Sequence, residues 1–274
     1  MSNHHISIPK STLLTFSNSG NFNYLDLNDN TIHAGQASSY NTGKDYYPES
    51  TEAYLDSKIE TKIGRLRKKL NSDREKVFYS DDTKQLVYPI NKINRYDHNQ
   101  LQEVVAFIFA QWLRTETLRN IIKGNSVLSN IIPDEYYQQY FNYNLKGNVE
   151  HAKNVKELHL NNLANTHNAI PSIIPTICES SFLLNSTHFF SFGDWVIFVL
   201  SPYTCICFVP KRYEKYENEP VMIFDDTTRN TLIKHSVQFE IKYGDGRLIG
   251  HKPQLLKAKD IKSDLMSELI KSGQ

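Results

Sequence analysis

The chain has 274 residues, 39% hydrophobic and 22% charged, which is enough apolar content for a real core and excludes a disordered polymer. Its 31 Lys and Arg against 30 Asp and Glu leave a formal charge of +1, so no global field draws it to DNA, RNA or an anionic membrane. Three cysteines, Cys178, Cys205 and Cys207, are too few and too badly spaced for a disulfide framework or a four-ligand zinc site, and are expected to be reduced, buried thiols.

The opening "MSNHHISIPKS" lacks the basic start and apolar core of a secretory signal. The longest greasy run, "WVIFVLSPYTCICFV", is broken by Ser201, Pro202 and Thr204 and falls short of the ~20 residues a spanning helix needs. A soluble cytoplasmic protein with no membrane partner is expected. Adjacent His4 and His5 point in different directions in most backbones, which favours solvation over joint metal ligation. Pro9 predicts the first turn of a short helix capped near Ser7, with Leu13, Leu14 and Phe16 inward and a stop at Asn18 to Gly20. "FNYLDLNDNTIHA" alternates around Asn28, Asp29 and Asn30 and reads as a β-hairpin; residues 40–50 read as a loop.

From Glu52, Leu55, Ile59, Ile63, Leu66 and Leu70 recur at helical spacing, with Arg65, Arg67, Lys68 and Lys69 read first as a solvated basic face near the helix end and second as a phosphate contact. A second helix starts at Asp97, capped with Gln100, and runs to Lys123; its apolar residues cover nearly every side, so it is central. Residues from Pro133 form a third helical segment, with Tyr136, Tyr137, Tyr140 and Phe141 spaced as a core stripe, and 148–163 a fourth. After Ile170 the runs "SSFLLNST", "DWVIFVL", "TCICFVP", "PVMIF" and "VQFEIKYG" read as strands. "DDTTRNTLIKHSVQ" reads as a short helix opened by Asp226, "YGDGRLIG" as a turn, and "KSDLMSELIKSGQ" as a terminal helix. Helices followed by strands predict an α+β fold, a single domain over 1–274 with a helical part at about 51–165 and a strand-rich part at about 170–255.

No phosphate-cradling glycine loop, HExxH helix, GxSxG elbow or papain-like cysteine context is present. The unusual feature is "AFIFAQWLRTETLR", an apolar helix carrying Gln111 and Arg114 one turn apart. A buried guanidinium needs a partner, since losing one member of such a pair costs about 3–5 kcal/mol. Glu60, one residue past inward Ile59, is placed to supply it if the two helices pack. The alternative is a shelf in which Gln111, Arg114 and Arg119, within roughly a third of the helix circumference, bind a carboxylate or phosphate.

The succession "HHISIPKSTLLTFSNSGNFNYLDL", "KDYYPES", "YLDSKIETKIGRL" and "FAQWLRTETLR" resembles the bacterial family catalogued as domain of unknown function 4238. The matching positions are Pro9, Leu13, Phe16, Tyr47, Ile59, Glu60, Gln111, Arg114, Thr115 and Arg119, with "IFVLSPYTCICFVP" similar to a later strand segment and Asn230 at the place of a late helix Asn. His5 fits the first residue of the family's His pair and Ile6 stands at the second; the family's Ser-Asp-Asn-Pro element is reduced to "LLNST", with Asn185 and Ser186. The resemblance covers most of the chain and implies an architecture and a residue set, not a reaction.

Two functions are expected. One is a hydrolase or toxin-like effector acting on nucleic acid or nucleotides, in defence against phage, with Glu60 holding a divalent metal or acting as base, Gln111 and Arg114 stabilising phosphoryl oxygen, and Arg119, His5 and Asn185 binding ligand. The other is a recognition or protein-interaction module in which Glu60 and Arg114 form an internal network and aromatic surface docks a protein partner.

Overall fold

A computed structural model of the chain describes residues 3–5, 8–44, 47–82, 85–87, the positions 104, 107, 110, 111 and 114, and residues 172–178, 181–193, 195–209 and 222–272. Strand β1 (Asn3–His5) is followed by α1 (Lys10–Leu13), which tightens into a 3-10 turn at Leu14–Phe16. Pro9 stands at the N-cap, not inside the first turn, and its carbonyl accepts from the amides of Thr12 and Leu13. Strands β2 (Asn21–Asp26) and β3 (Thr31–Gln36) form the predicted hairpin; Asn30 turns at φ 57° and Asp29 Oδ1 accepts from the Thr31 amide at 2.9 Å. Within the expected loop, β4 (Thr42–Lys44) pairs antiparallel with β1, so His5 lies opposite Thr42 in a two-stranded ribbon and not at a solvated end.

Helix α2 (Glu49–Tyr54) passes through a π turn at Leu55–Glu60 into α3 (Thr61–Arg74). All five positions of the predicted stripe, from Leu55 to Leu70, are buried. A short ribbon of β5 (Phe78–Ser80) and β6 (Gln85–Val87) follows. Val104, Phe107, Ala110, Gln111 and Arg114 are helical and buried, as the central helix requires. The predicted segments from Pro133 and over 148–163, and Arg119, lie outside the described residues.

The remaining elements are β7 (Ser172–Cys178), β8 (Leu184–Asn185), β9 (Phe189–Phe192), β10 (Trp195–Ser201), β11 (Thr204–Val209), β12 (Met222–Phe224), α4 (Asp226–Tyr243), β13 (Arg247–Gly250) and α5 (Lys252–Ser272). They build a five-stranded sheet, β12-β7-β11-β10-β9, antiparallel except for the β12–β7 pair, and β8 and β13 complete a four-stranded antiparallel sheet, β3-β2-β13-β8. The fold is α+β, with mainly antiparallel sheets. Pro175 is tolerated inside β7 because β12 pairs only from Thr176 onward, so the missing amide faces no partner strand there.

Period-two alternation decides which helices cover the larger sheet. Val196, Phe198, Leu200, Ile206 and Phe208 pack in one core with Leu55, Ile59, Ile63, Leu66, Leu70, Val104 and Phe107. Ile197, Val199, Cys205, Cys207 and Val209 point the other way, toward Leu13, Phe16, Phe22 and Leu232. All three cysteines are buried and free, as expected. A third cluster joins the smaller sheet, through Leu25 and Leu248, to α4 and α5, through Val237 and Leu255.

"VQFEIKYG" is not a strand; it completes α4. Asp225, not Asp226, caps that helix by accepting from the Thr228 amide at 2.7 Å, and the buried positions Leu232, Ile233, Ser236, Val237 and Glu240 follow helical spacing. "SSFLLNST" contributes only the two residues of β8.

Glu240 ties α4 to both strands beside it. Its carboxylate accepts from Asn185 Nδ2 at 3.2 Å, the Ser186 amide at 3.1 Å, Ser186 Oγ at 2.8 Å and the Arg247 amide at 3.0 Å. A Cβ on Gly244 would collide with this carboxyl, so the chain leaves α4 through a residue without one. Burial pushes Glu240 up to about 7, against the downward pull of the Ser186 and Arg247 donors. A raised native pKa means the folded state holds the proton more tightly, so the stabilisation is complete below the unfolded value and disappears as pH rises through the native one. The prediction is that unfolding free energy falls by up to about 3 kcal/mol between pH 4.5 and 7 on account of this group, and that Glu240→Gln flattens the slope; denaturant titrations across that range measure it.

Candidate functional site

Arg114 is 2% exposed and its guanidinium is answered on three sides. Nη1 donates to Glu60 Oε1 at 2.9 Å, Nη2 donates to the His5 carbonyl at 2.6 Å, and Cζ lies 5.4 Å from the centre of the Tyr47 ring. Burial works to strip the proton, yet Tyr47 and Glu60 outweigh it and hold the group above its ordinary value. Tyr47 is itself pushed up to about 12 by burial, so at neutral pH it is an uncharged phenol and Glu60 is the counter-charge that matters. Half-buried Glu52 adds a second acid whose field reaches Arg114.

Glu60 is delivered by the last residue of the π turn, a local widening of the helix that often marks a functional position. Its side chain is 19% exposed. Oε1 is engaged by Arg114, whereas Oε2 makes no hydrogen bond among the described residues. Gly64, one turn later, carries no side chain, and a Cβ built there would meet no atom within 4 Å. The acid therefore has one oxygen held by Arg114 and one without a hydrogen bond among the described residues.

Gln111 lies one turn before Arg114, as the spacing predicts, and is 1% exposed. Neither Oε1 nor Nε2 of its amide has a hydrogen-bond partner among the described residues. Phe107, a further turn back, packs edge-on against the His188 ring at 5.8 Å, and Phe198 stacks on that ring at 6.2 Å. His188 is wholly buried at φ 65°, and both its ring nitrogens are likewise unpartnered. Burial, with Arg67 and Arg114 nearby, holds it far below the ordinary histidine range, so the ring is neutral. His5 is brought to the same place through its carbonyl; burial and Arg114 lower it to about 4, and its Nδ1 has no partner among the described residues.

Arg67 was expected on the solvated face and is instead 6% exposed. Ile63, Leu66, Arg67 and Leu70 occupy i, i+3, i+4 and i+7, so Arg67 falls within the apolar stripe, and the spacing contained the signal that it turns inward. Nη1 donates to the Ser11 carbonyl at 3.1 Å and Nη2 to Thr12 Oγ1 at 2.9 Å, fastening α3 to α1; Nε is unanswered. His188 had no local signal, because its burial is made by Phe107 and Phe198 from distant parts of the chain.

The structure thus brings together Glu60, Gln111, Arg114 and His5 from the sequence-derived set and adds Tyr47, Arg67 and His188. Asn185 is engaged elsewhere, donating to the Ser236 carbonyl and Glu240 and accepting from Ser236 Oγ at 2.7 Å. Among the described residues no three His, Cys, Asp or Glu side chains converge as a metal site, so a divalent ion at Glu60 finds no second and third ligand of those types there. Six buried polar atoms, two on Gln111, two on His188 and one each on Arg67 and His5, stand without partners. Each such atom costs about 1–3 kcal/mol when left dry, and six would consume most of a typical stability of roughly 5–15 kcal/mol. Comparison with protein-family models, with curated proteins and with solved structures gives no match to this chain.

Two outcomes test this geometry. Arg114→Met keeps most of the volume but abandons Glu60 and the His5 carbonyl, and should cost about 3–5 kcal/mol; Arg114→Ala should cost more by the cavity it opens, both read by urea denaturation. Gly64→Ala should stabilise α3 by about 0.5–1 kcal/mol, since a helix-interior glycine is unfavourable and space is free, a gain visible in the same experiment.

Proposed function

We propose that the chain is a hydrolase or toxin-like effector acting on a phosphodiester or nucleotide, with Glu60 as its general base. The carrying observation is the divided carboxylate: Oε1 is held by Arg114 at 2.9 Å, while Oε2 makes no hydrogen bond among the described residues on a side chain that is 19% exposed. In this reading a water on Oε2 gives up its proton as it attacks phosphorus, the P–O bond to the leaving group breaks, and Gln111 Nε2 donates to a phosphoryl oxygen. Arg114 is a positioning residue: its two terminal nitrogens donate to Glu60 and to the His5 carbonyl, so it orients the base and does not itself meet substrate.

A second reading is favoured by one observation, the occupation of both Arg114 nitrogens inside the protein: a recognition or protein-interaction module in which this network is scaffold only. The two separate on turnover. Purified protein incubated with single- and double-stranded RNA and DNA and with nucleoside triphosphates, with and without Mg²⁺, should cleave at least one, and Glu60→Gln should lower that rate by about 100-fold or more. Absence of turnover on every substrate, or an unchanged rate in Glu60→Gln, would sink the hydrolase. Gly64→Leu, which adds bulk one turn from Glu60, should lower the rate while leaving the fold intact by circular dichroism.

A further inference from the structure

The charges inside the helix-covered core are unequally served. Arg114 has its own acid, whereas among the described residues Arg67 bonds to a carbonyl and a hydroxyl, both neutral. The acid whose field reaches Arg67 is Glu60, and the Glu60 oxygen in contact with a cation belongs to Arg114. A buried guanidinium with neutral partners and an unused Nε–H is half of a charge-assisted contact. His188 feels the Arg67 charge and packs against Phe107, one turn before Gln111, so the unanswered atoms of the three residues belong to the same core and define what the other half is. Arg67 Nε, Gln111 Nε2 and the one N–H of neutral His188 need acceptors, while Gln111 Oε1 and the other His188 nitrogen need a hydrogen given to them.

We propose that Arg67, Gln111 and His188 form a receiving site for hydrogen phosphate or for a phosphate monoester in its singly protonated form, an oxyanion that still carries a hydroxyl. Phosphate oxygens accept from the three donors, and the P–OH gives its proton to Gln111 Oε1 or to the bare His188 nitrogen. Sulfate and carboxylates, which are fully ionised at neutral pH, offer acceptors alone and leave the two acceptor atoms unanswered. The site rests on the hydrolase reading and narrows it: the substrate or product carries a terminal phosphate, taken up beside Glu60 by a cation two turns along the same helix.

Binding is measured on the full chain by thermal unfolding and calorimetric titration with inorganic phosphate, adenosine 5′-monophosphate and sulfate, for wild type, Gln111→Met and His188→Phe. Phosphate or the nucleotide should raise the wild-type Tm by several degrees at saturating concentration, and sulfate should not; a response to the nucleotide alone assigns the ester, and a response to both assigns the phosphate group itself. Gln111→Met removes an amide that bonds to nothing in the protein, so it should melt at or above the wild-type temperature while its phosphate affinity drops at least tenfold. His188→Phe should follow the same pattern and guards against a folding defect in either variant. No response in wild type, a response equal for sulfate, or an unchanged affinity in Gln111→Met would each overturn the site and assign the unanswered atoms to internal water. Phosphate binding in wild type without turnover of any substrate would instead keep the site and remove the reaction.

Discussion

The structure depends on a cation placed where water cannot reach it. Arg114 must be neutralised inside the fold, and the three groups that do so come from parts of the chain with no local relation: Glu60 from the π turn, Tyr47 from just before α2, and the carbonyl of His5 from β1. One guanidinium therefore fixes where two helical segments and an edge ribbon meet. A buried ion pair of this kind gives little net stability over an apolar replacement, but it is unforgiving of misplacement, because any arrangement that separates the partners strands a charge. Its effect is on which fold forms more than on how strongly it holds.

The electrostatic layout that follows is asymmetric. Glu60 bonds through Oε1 alone and Arg67 has neutral acceptors among the described residues, and there the Gln111 amide and the His188 imidazole make no hydrogen bond. Other polar groups are closely engaged: Glu240 takes four donors, Asn185 and Ser236 complete each other, and Ser201, Thr204 and Asn71 share hydrogen bonds at the end of α3, although Ser181 Oγ and Gln254 Oε1 are also buried without a partner.

Much of this was legible from residue order. The stripe from Leu55 to Leu70, the β2–β3 hairpin, β10, β11 and the Glu60–Arg114 pair all follow from periodicity, turn residues and the demand of a charge for a counter-charge. What escaped did so for physical reasons. The run Val237 to Gly244 has strand-like composition, and only its attachment to the Asp225 cap, twelve residues earlier at Val237, lets helical hydrogen bonding override propensity. Asn185 carried the same polar promise as Gln111, yet the long-range contact with α4 assigns it to structure. His188 belongs to a turn flanked by aromatic residues, and its surroundings exist only once the sheet and the helical layer have closed over it.

The clasp between Arg114 and the His5 carbonyl joins positions 109 residues apart. A ribosome releases β1 long before it releases its anchor, so the first strand emerges without the group that will hold it, and the polar centre has no existence in any nascent chain that ends before Arg114. Its assembly waits on the order of synthesis itself, a delay written into the topology.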